Sequence, residues 1–191
     1  MKKSKLILLL KTFSKSEIKK FEELVNSPFF NKEKVLRKLA GLIRSHYPDL
    51  DDSELEKENV FAKLYPGKKY NDPLMRNIIS DLLTLAEEYL CQKKMNENDF
   101  RKGMMLLHEF HDRKLNDHFL KQKLTTSKLV ETRAFKDEIY YDNQTELSRL
   151  YSLFLKETKD TFTRENQIYQ EASDFITAGF LIRILYYNTY M

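Results

Sequence analysis

The sequence predicts an all-α chain with no sheet: an N-terminal helical bundle followed by antiparallel helical hairpins of a tetratricopeptide-like or α-solenoid-like kind. Three observations carry that prediction. Only four glycines and four prolines occur in 191 residues, against roughly 7% and 5% in an average chain, so there is little material for tight turns or bulges. Polar residues with helix-capping spacing stand where apolar periodicity begins. Apolar residues then recur at i, i+3, i+4 and i+7 in one segment after another.

The first segment, Met1 to Phe13, starts with lysines and an apolar run, as a secretory leader does. The run covers only Leu6 to Leu10 before Lys11 interrupts it, shorter than the ~7–15 residues of a leader's apolar region. It therefore reads as the first helix. Ser14-Lys15-Ser16-Glu17 has capping-box spacing and opens a second helix with Ile18, Phe21, Leu24 and Val25 on one face. Asn26-Ser27-Pro28 ends it, because proline disfavours helix in the residue before it. A third helix is expected from near Asn31, with Val35, Leu36, Leu39, Leu42 and Ile43 inward, stopping before Tyr47-Pro48. Ser53 to Glu56 has the spacing of a second capping box, opening a short helix that buries Leu55, Val60, Phe61 and Leu64. Tyr65-Pro66-Gly67 is a turn. Asp72 is the expected N-cap and Pro73 the first helical residue of the longest clean pattern, Leu74 to Lys94, whose inward stripe is Met75, Ile78, Ile79, Leu82, Leu83, Ala86, Tyr89 and Leu90.

Met95 to Asp99 is polar and divides the chain into a basic N-terminal domain, residues 1–95, and a helical-hairpin region, residues 96–191, the expected start of a longer array. All four prolines lie before position 74. After the joint, breaks are expected near Arg113 to Asp117 and Thr158 to Thr163. Stripes such as Met104, Leu107, Phe110 and Leu147, Leu150, Tyr151, Phe154 recur at an interval of helical-hairpin length. The Trp, Leu-Gly, Tyr, Ala and Pro pattern of true tetratricopeptides is absent, so the spacing bears on architecture alone. Phe175 to Tyr187 is apolar on nearly every side, yet thirteen residues containing Arg183 fall short of the ~20 that span a bilayer. Such a helix must be buried between neighbours. The chain is thus expected either to be a fragment of a longer helical array or to offer this end as an oligomer interface.

Three strings, Thr12-Phe13-Ser14-Lys15-Ser16-Glu17, Ser27-Pro28-Phe29-Phe30-Asn31-Lys32 and Leu64-Tyr65-Pro66-Gly67-Lys68-Lys69-Tyr70-Asn71-Asp72, resemble a group of uncharacterised all-helical bacterial proteins. The resemblance is best over the first ~95 residues and implies a helical fold and longer relatives that continue into further helices. It brings no activity, cofactor or partner with it.

Composition and motifs narrow the chemistry. With 41% hydrophobic and 32% charged residues, neither a disordered chain nor an ordinary membrane protein fits. The one cysteine, Cys91, beside Tyr89 and Leu90, is expected to be a buried, inert thiol. Residues 1–50 hold twelve Lys/Arg against five Asp/Glu, whereas the remainder holds twenty-one against twenty-four. That basic end suits either solvated lysines or an anionic partner such as nucleic acid. His108, His111 and His118 cluster, but His-Glu-Phe-His lacks the i, i+4 zinc spacing, so no metal is expected. Gly67-Lys68 resembles a phosphate loop only superficially: Ala62 stands where its first glycine belongs and Lys69 where Ser or Thr should follow. Lys68, Lys69, Tyr70 and Arg76 remain candidate anion or nucleic-acid contacts around a helix N-terminus, against the plainer reading of a turn that caps a helix. Adjacent acids such as Asp51-Asp52 diverge by ~100° on a helix, and no glycine elbow flanks any serine. No catalytic or cofactor-binding set converges.

The expected function is therefore a non-enzymatic, cytoplasmic helical scaffold or protein-interaction module, without cofactor or membrane. Phe180, Tyr186, Tyr187 and Tyr190 are its candidate interface to a protein partner or to another copy. The alternative is a nucleic-acid-binding or regulatory protein that uses the basic N-terminal domain.

Overall fold

Capping residues and apolar stripes place the helices, and the computed structural model shows where. It describes residues 1, 4–51, 53–158 and 162–189, with backbone only over 162–166. Among the described residues there are nine α-helices, one 3-10 turn at Ser53–Leu55 and no strand. They form two compact units, Met1–Lys94 and Met95–Met191.

The first unit contains α1 (Lys5–Leu10), α2 (Lys15–Asn26), α3 (Lys34–His46), α4 (Lys57–Leu64) and α5 (Asp72–Asn96). In α1, the Ile7 N–H donates to the Ser4 hydroxyl, and Leu6, Ile7 and Leu10 are sealed from solvent. The capping box of α2 forms as its spacing requires: Glu17 N–H donates to Ser14 Oγ at 3.2 Å, and Ser14 N–H donates to Glu17 Oε2 at 2.7 Å. Phe13, Phe21 and Tyr89 meet with ring centroids 5.4 to 6.1 Å apart, tying the α1–α2 joint and α2 to α5. The buried stripe of α5, Met75, Ile78, Ile79, Leu82, Ala86 and Tyr89, completes the core, with Leu83 and Leu90 packed at its edge.

Four local expectations shift. The helix expected from Asn31 begins at Lys34, because the Asn31 amide donates to Val25 O and Glu33 O while its Oδ1 accepts from Glu33 N–H. A side chain committed to the backbone in this way holds a turn rather than a helix. Ser53 to Glu56 is no capping box, since a 3-10 turn intervenes and α4 starts after Glu56 with no side-chain cap. At α5 the cap is Asn71, whose Oδ1 accepts from Leu74 N–H at 3.0 Å, so Asp72 is the first helical residue and Pro73 the second. Cys91 is exposed. Sequence neighbours sit 100° apart on a helix, so position 91 lies ~200° from buried Tyr89.

The second unit contains α6 (Asp99–Asp112), α7 (Asn116–Glu131), α8 (Glu138–Thr158) and α9 (Phe162–Thr189). Helix α6 packs along α7 and α8 along α9, and both members of the first pair also touch α8. The α6–α7 turn closes without glycine or proline. Lys114 N–H donates to His111 O and Leu115 N–H to Phe110 O, with Lys114 at φ 58°. This is a Schellman closure in which lysine takes the left-handed position that glycine usually fills. Buried Gly103 lets α6 approach α7, since a Cβ there would lie 2.4 Å from the Thr126 hydroxyl. Phe119 and Phe154 stack at 4.2 Å between α7 and α8.

A further break, Thr132 to Asp137, separates α7 from α8 with no proline or glycine to mark it in the sequence. Thr132 Oγ1 donates to Lys128 O, Tyr140 N–H donates to Asp137 Oδ1 at 2.9 Å, and Arg133 pairs with Asp137. Phe135 stands 79% exposed in this joint.

Candidate interaction surface

Helix α9 packs chiefly along α8 and, among the described residues, exposes large apolar side chains on the rest of its circumference. Ile168 is buried, Phe175 meets Tyr141 at 6.5 Å, and Gly179 sits 3.2 Å from Tyr141 Cβ as measured from a Cβ built on it. Arg183 reaches α8, where it pairs with Asp142 and, at 3.7 Å, with Glu138. The Asp142 hydrogen bond chiefly holds its pKa above the ordinary value. Going round the helix from that face, Ile176, Phe180, Ile184 and Tyr187 recur at i, i+4, i+8 and i+11, and Leu181 and Leu185 lie ~100° further on. All six are exposed, Phe180 by 58%, Leu185 by 66% and Tyr187 by 64%.

Among the described residues the expectation that this segment is enclosed on every side is thus not met: α8 covers one face, and exposed apolar side chains stand on the others. Of the four predicted interface residues, Phe180, Tyr186 and Tyr187 are exposed, with Tyr186 and Tyr187 packed edge to face at 5.7 Å. Tyr190 lies outside the described residues.

The predicted anion contacts surround the start of α5. Gly67, at φ 77°, makes the turn, and Lys68 lies over the Tyr65 ring at 5.1 Å. Lys69 is exposed. Tyr70 is half-buried, its ring edge-on to Phe61 at 5.4 Å, and its hydroxyl donates to Asp72 at 2.8 Å. Asp72 also accepts from Lys57 at 3.1 Å and pairs with Arg76. These contacts draw its pKa down to about 2, with the Tyr70 hydrogen bond the largest cause. Burial first, and then Asp72, push the Tyr70 hydroxyl up to about 12. The structure therefore brings Tyr70 and Arg76 together through the chain's own carboxylate and directs Lys68 elsewhere. Sequence reading missed Lys57 and Asp72 as the link. The sequence pattern gives Asp72 a capping role and ties nothing to Lys57.

The three histidines divide between helices, His108 and His111 on α6 and His118 on α7. His111, Lys114, Asn116, Phe154, Glu157 and Thr158 line a cavity of about 450 Å3. His111 Nε2 lies 3.5 Å from Glu157 Oε1, an ion-pair distance too long and ill-aligned for a hydrogen bond. Lys114 pairs with the same carboxylate and is the main cause of its lowered pKa. Lys114 and Glu157 neutralise one another there. Among the described residues no three His, Cys, Asp or Glu side chains are placed to hold a metal ion. No helix among them is long and apolar enough to cross a membrane.

No family model matches the chain, and neither a curated protein nor a solved structure does.

Proposed function

We propose that this chain is a non-enzymatic helical scaffold whose working surface is the apolar arc of α9, which binds a protein partner or a second copy by burying Phe180, Leu185, Tyr187 and their neighbours. The observation that carries the reading is that arc: six large apolar side chains on one helix, all exposed, where a monomer ordinarily leaves such residues scattered. Aromatic and aliphatic anchors of this kind supply most of the energy of protein interfaces. The pairing of α6 with α7 and of α8 with α9, with the first pair resting on α8, supports the finer reading of a solenoid-like stack. In such a stack each hairpin covers the apolar face of the one before.

Sedimentation of the wild-type chain and of Phe180→Glu/Leu185→Glu tests the proposal. The wild type should associate as concentration rises, whereas the variant should stay monomeric with unchanged helicity. Should the wild type remain monomeric, both chains serve as bait in co-purification. A single stoichiometric protein retained by the wild type and lost by the variant then supports the reading. Identical behaviour of the two chains in both experiments overturns it.

A further inference from the structure

The loop between α2 and α3 holds a phenylalanine outside the fold. Phe29 is 87% exposed, and only Leu8 joins it as an exposed large apolar side chain among the described residues of the first unit. Hydrogen bonds fix the loop beneath it. Ser27 O accepts from the Phe30 and Asn31 N–H groups, and Ser27 Oγ accepts from the Phe29 N–H at 3.4 Å. The buried Asn31 side chain ties the loop to Val25 O and to Glu33, and Arg37 donates to Asn31 O at 2.9 Å. Phe30 meets the Phe29 ring edge to face at 5.0 Å. A ring held in water in this way has little conformational freedom left to lose on binding.

The neighbours of that ring along the chain are cations. Residues 27–38 hold four Lys/Arg against a single acid, the exposed Glu33. Lys32, Lys34 and Lys38 are exposed, and none of the three has an ion pair among the described residues. Lys34 and Lys38 stand one turn apart on the face of α3 opposite buried Leu36 and Ile43. Lys32 follows Phe29 so closely that their Cα atoms lie no more than ~11 Å apart. A lone ring among lysines is too little apolar surface for a protein hot spot or for insertion into a membrane, each of which needs a contiguous apolar face. It is enough for one base, which stacks on a single ring while the phosphates beside it meet the cations.

We propose that this loop binds single-stranded nucleic acid, with one base stacked on Phe29 and the flanking phosphates at Lys32, Lys34 and Lys38. The site belongs to the first unit and does not depend on the α9 surface. The probe is a fluorescent deoxythymidine strand of ~10 nucleotides, titrated into the full chain at low salt, and it should bind saturably. Phe29→Ala should weaken binding roughly tenfold, whereas Phe29→Tyr keeps the stacking face and should bind as the wild type does. A strand of equal length without bases should bind the wild type and Phe29→Ala equally weakly. With three phosphates engaged, the logarithm of the association constant should fall against the logarithm of salt concentration with a slope of about −2, and Lys32→Gln/Lys34→Gln should reduce it to about −0.7.

Lys121→Gln/Lys128→Gln makes the same change in net charge at exposed positions of α7 and should leave both affinity and slope unchanged. Circular dichroism checks that each variant keeps its helices, which truncation of so bare a side chain should not disturb. Four results overturn the proposal: no saturable binding, equal affinity of Phe29→Ala and the wild type, a strand without bases bound as tightly as one with them, or equal losses in the two lysine double variants. Polyglutamate bound as tightly as the strand, or recruitment by anionic phosphatidylglycerol vesicles alone, also overturns it. The first of these would assign the loop to an acidic protein and the second to a membrane surface.

Discussion

Gly103 lets α6 and α7 approach closely, and its test is a single methyl group. A Cβ at this position meets the fully buried Thr126 at 2.4 Å from Oγ1 and 3.1 Å from Cγ2, and neither helix backbone can yield without disturbing Phe100, Met104 and Leu107. Gly103→Ala should destabilise the second unit by about 1–3 kcal/mol, as overpacking does. Adding Thr126→Ala should return part of that loss, a coupling that a double-mutant cycle in chemical denaturation would measure. At Lys114 the sign reverses. Its φ of 58° strains any residue with a side chain, so Lys114→Gly should stabilise by about 1 kcal/mol despite the lost surface pair with Glu157. Spacing made the Ser14–Glu17 box readable because a capping box is a local rule. The same spacing misleads at Ser53–Glu56, where a 3-10 turn forms instead, and neighbour-based reading misleads at Asn31 and Cys91, where the deciding factors are the bond to Val25 O and the orientation of α5.

Helix boundaries in this chain are set by side-chain oxygens more than by glycine, and where that oxygen belongs to a carboxylate, as at Glu17 and Asp137, the boundary is sensitive to acid. The Glu17 carboxylate, held by the Ser14 N–H and then by Lys93, titrates at about 2 instead of 4.5. Its folded-state pKa lies below the unfolded one, so its stabilisation is complete above pH 4.5 and is lost as pH falls from there towards 2. Glu17→Gln should therefore cost stability at neutral pH, by about 1 kcal/mol for a half-buried cap, and should match the wild type once the pH falls below about 2. Thermal melts across that range would show the two curves converging. Asp137 caps α8 in the same manner. The Tyr140 N–H is the largest cause of its lowered pKa, and Asp137→Ala should cost about 1 kcal/mol. This joint escaped sequence reading because Thr132 to Asp137 holds neither proline nor glycine, and a break defined by where side chains bond leaves no mark in composition.

Across the whole molecule, the all-helical architecture was legible because caps and stripes agree in nearly every segment. The candidate surface was legible only in part. An apolar all-round segment marks α9 in the sequence, but which arc α8 covers depends on Gly179 and Arg183 meeting Tyr141 and Asp142, contacts between residues some forty positions apart. The uneven charge, concentrated in residues 1–50, offers a test at this scale. An association through α9 should hardly change between low and high salt, whereas phosphate contacts through the basic end should weaken steeply as salt rises. Mobility shift with mixed-sequence DNA and RNA, run beside sedimentation at each salt concentration, separates the two.

Phe135 has one more consequence. It stands almost bare in the joint between α7 and α8, in backbone held by caps at either end and by no helix between them. Phe29 is as bare, but the Asn31 side chain cross-links its loop to the backbone on both sides. A protease that cuts after aromatic residues should therefore nick the chain first at Phe135. The cut would part the α6–α7 hairpin from α8 and α9, opening Phe119 and Phe154 to water and giving two fragments whose ability to recombine can be measured directly.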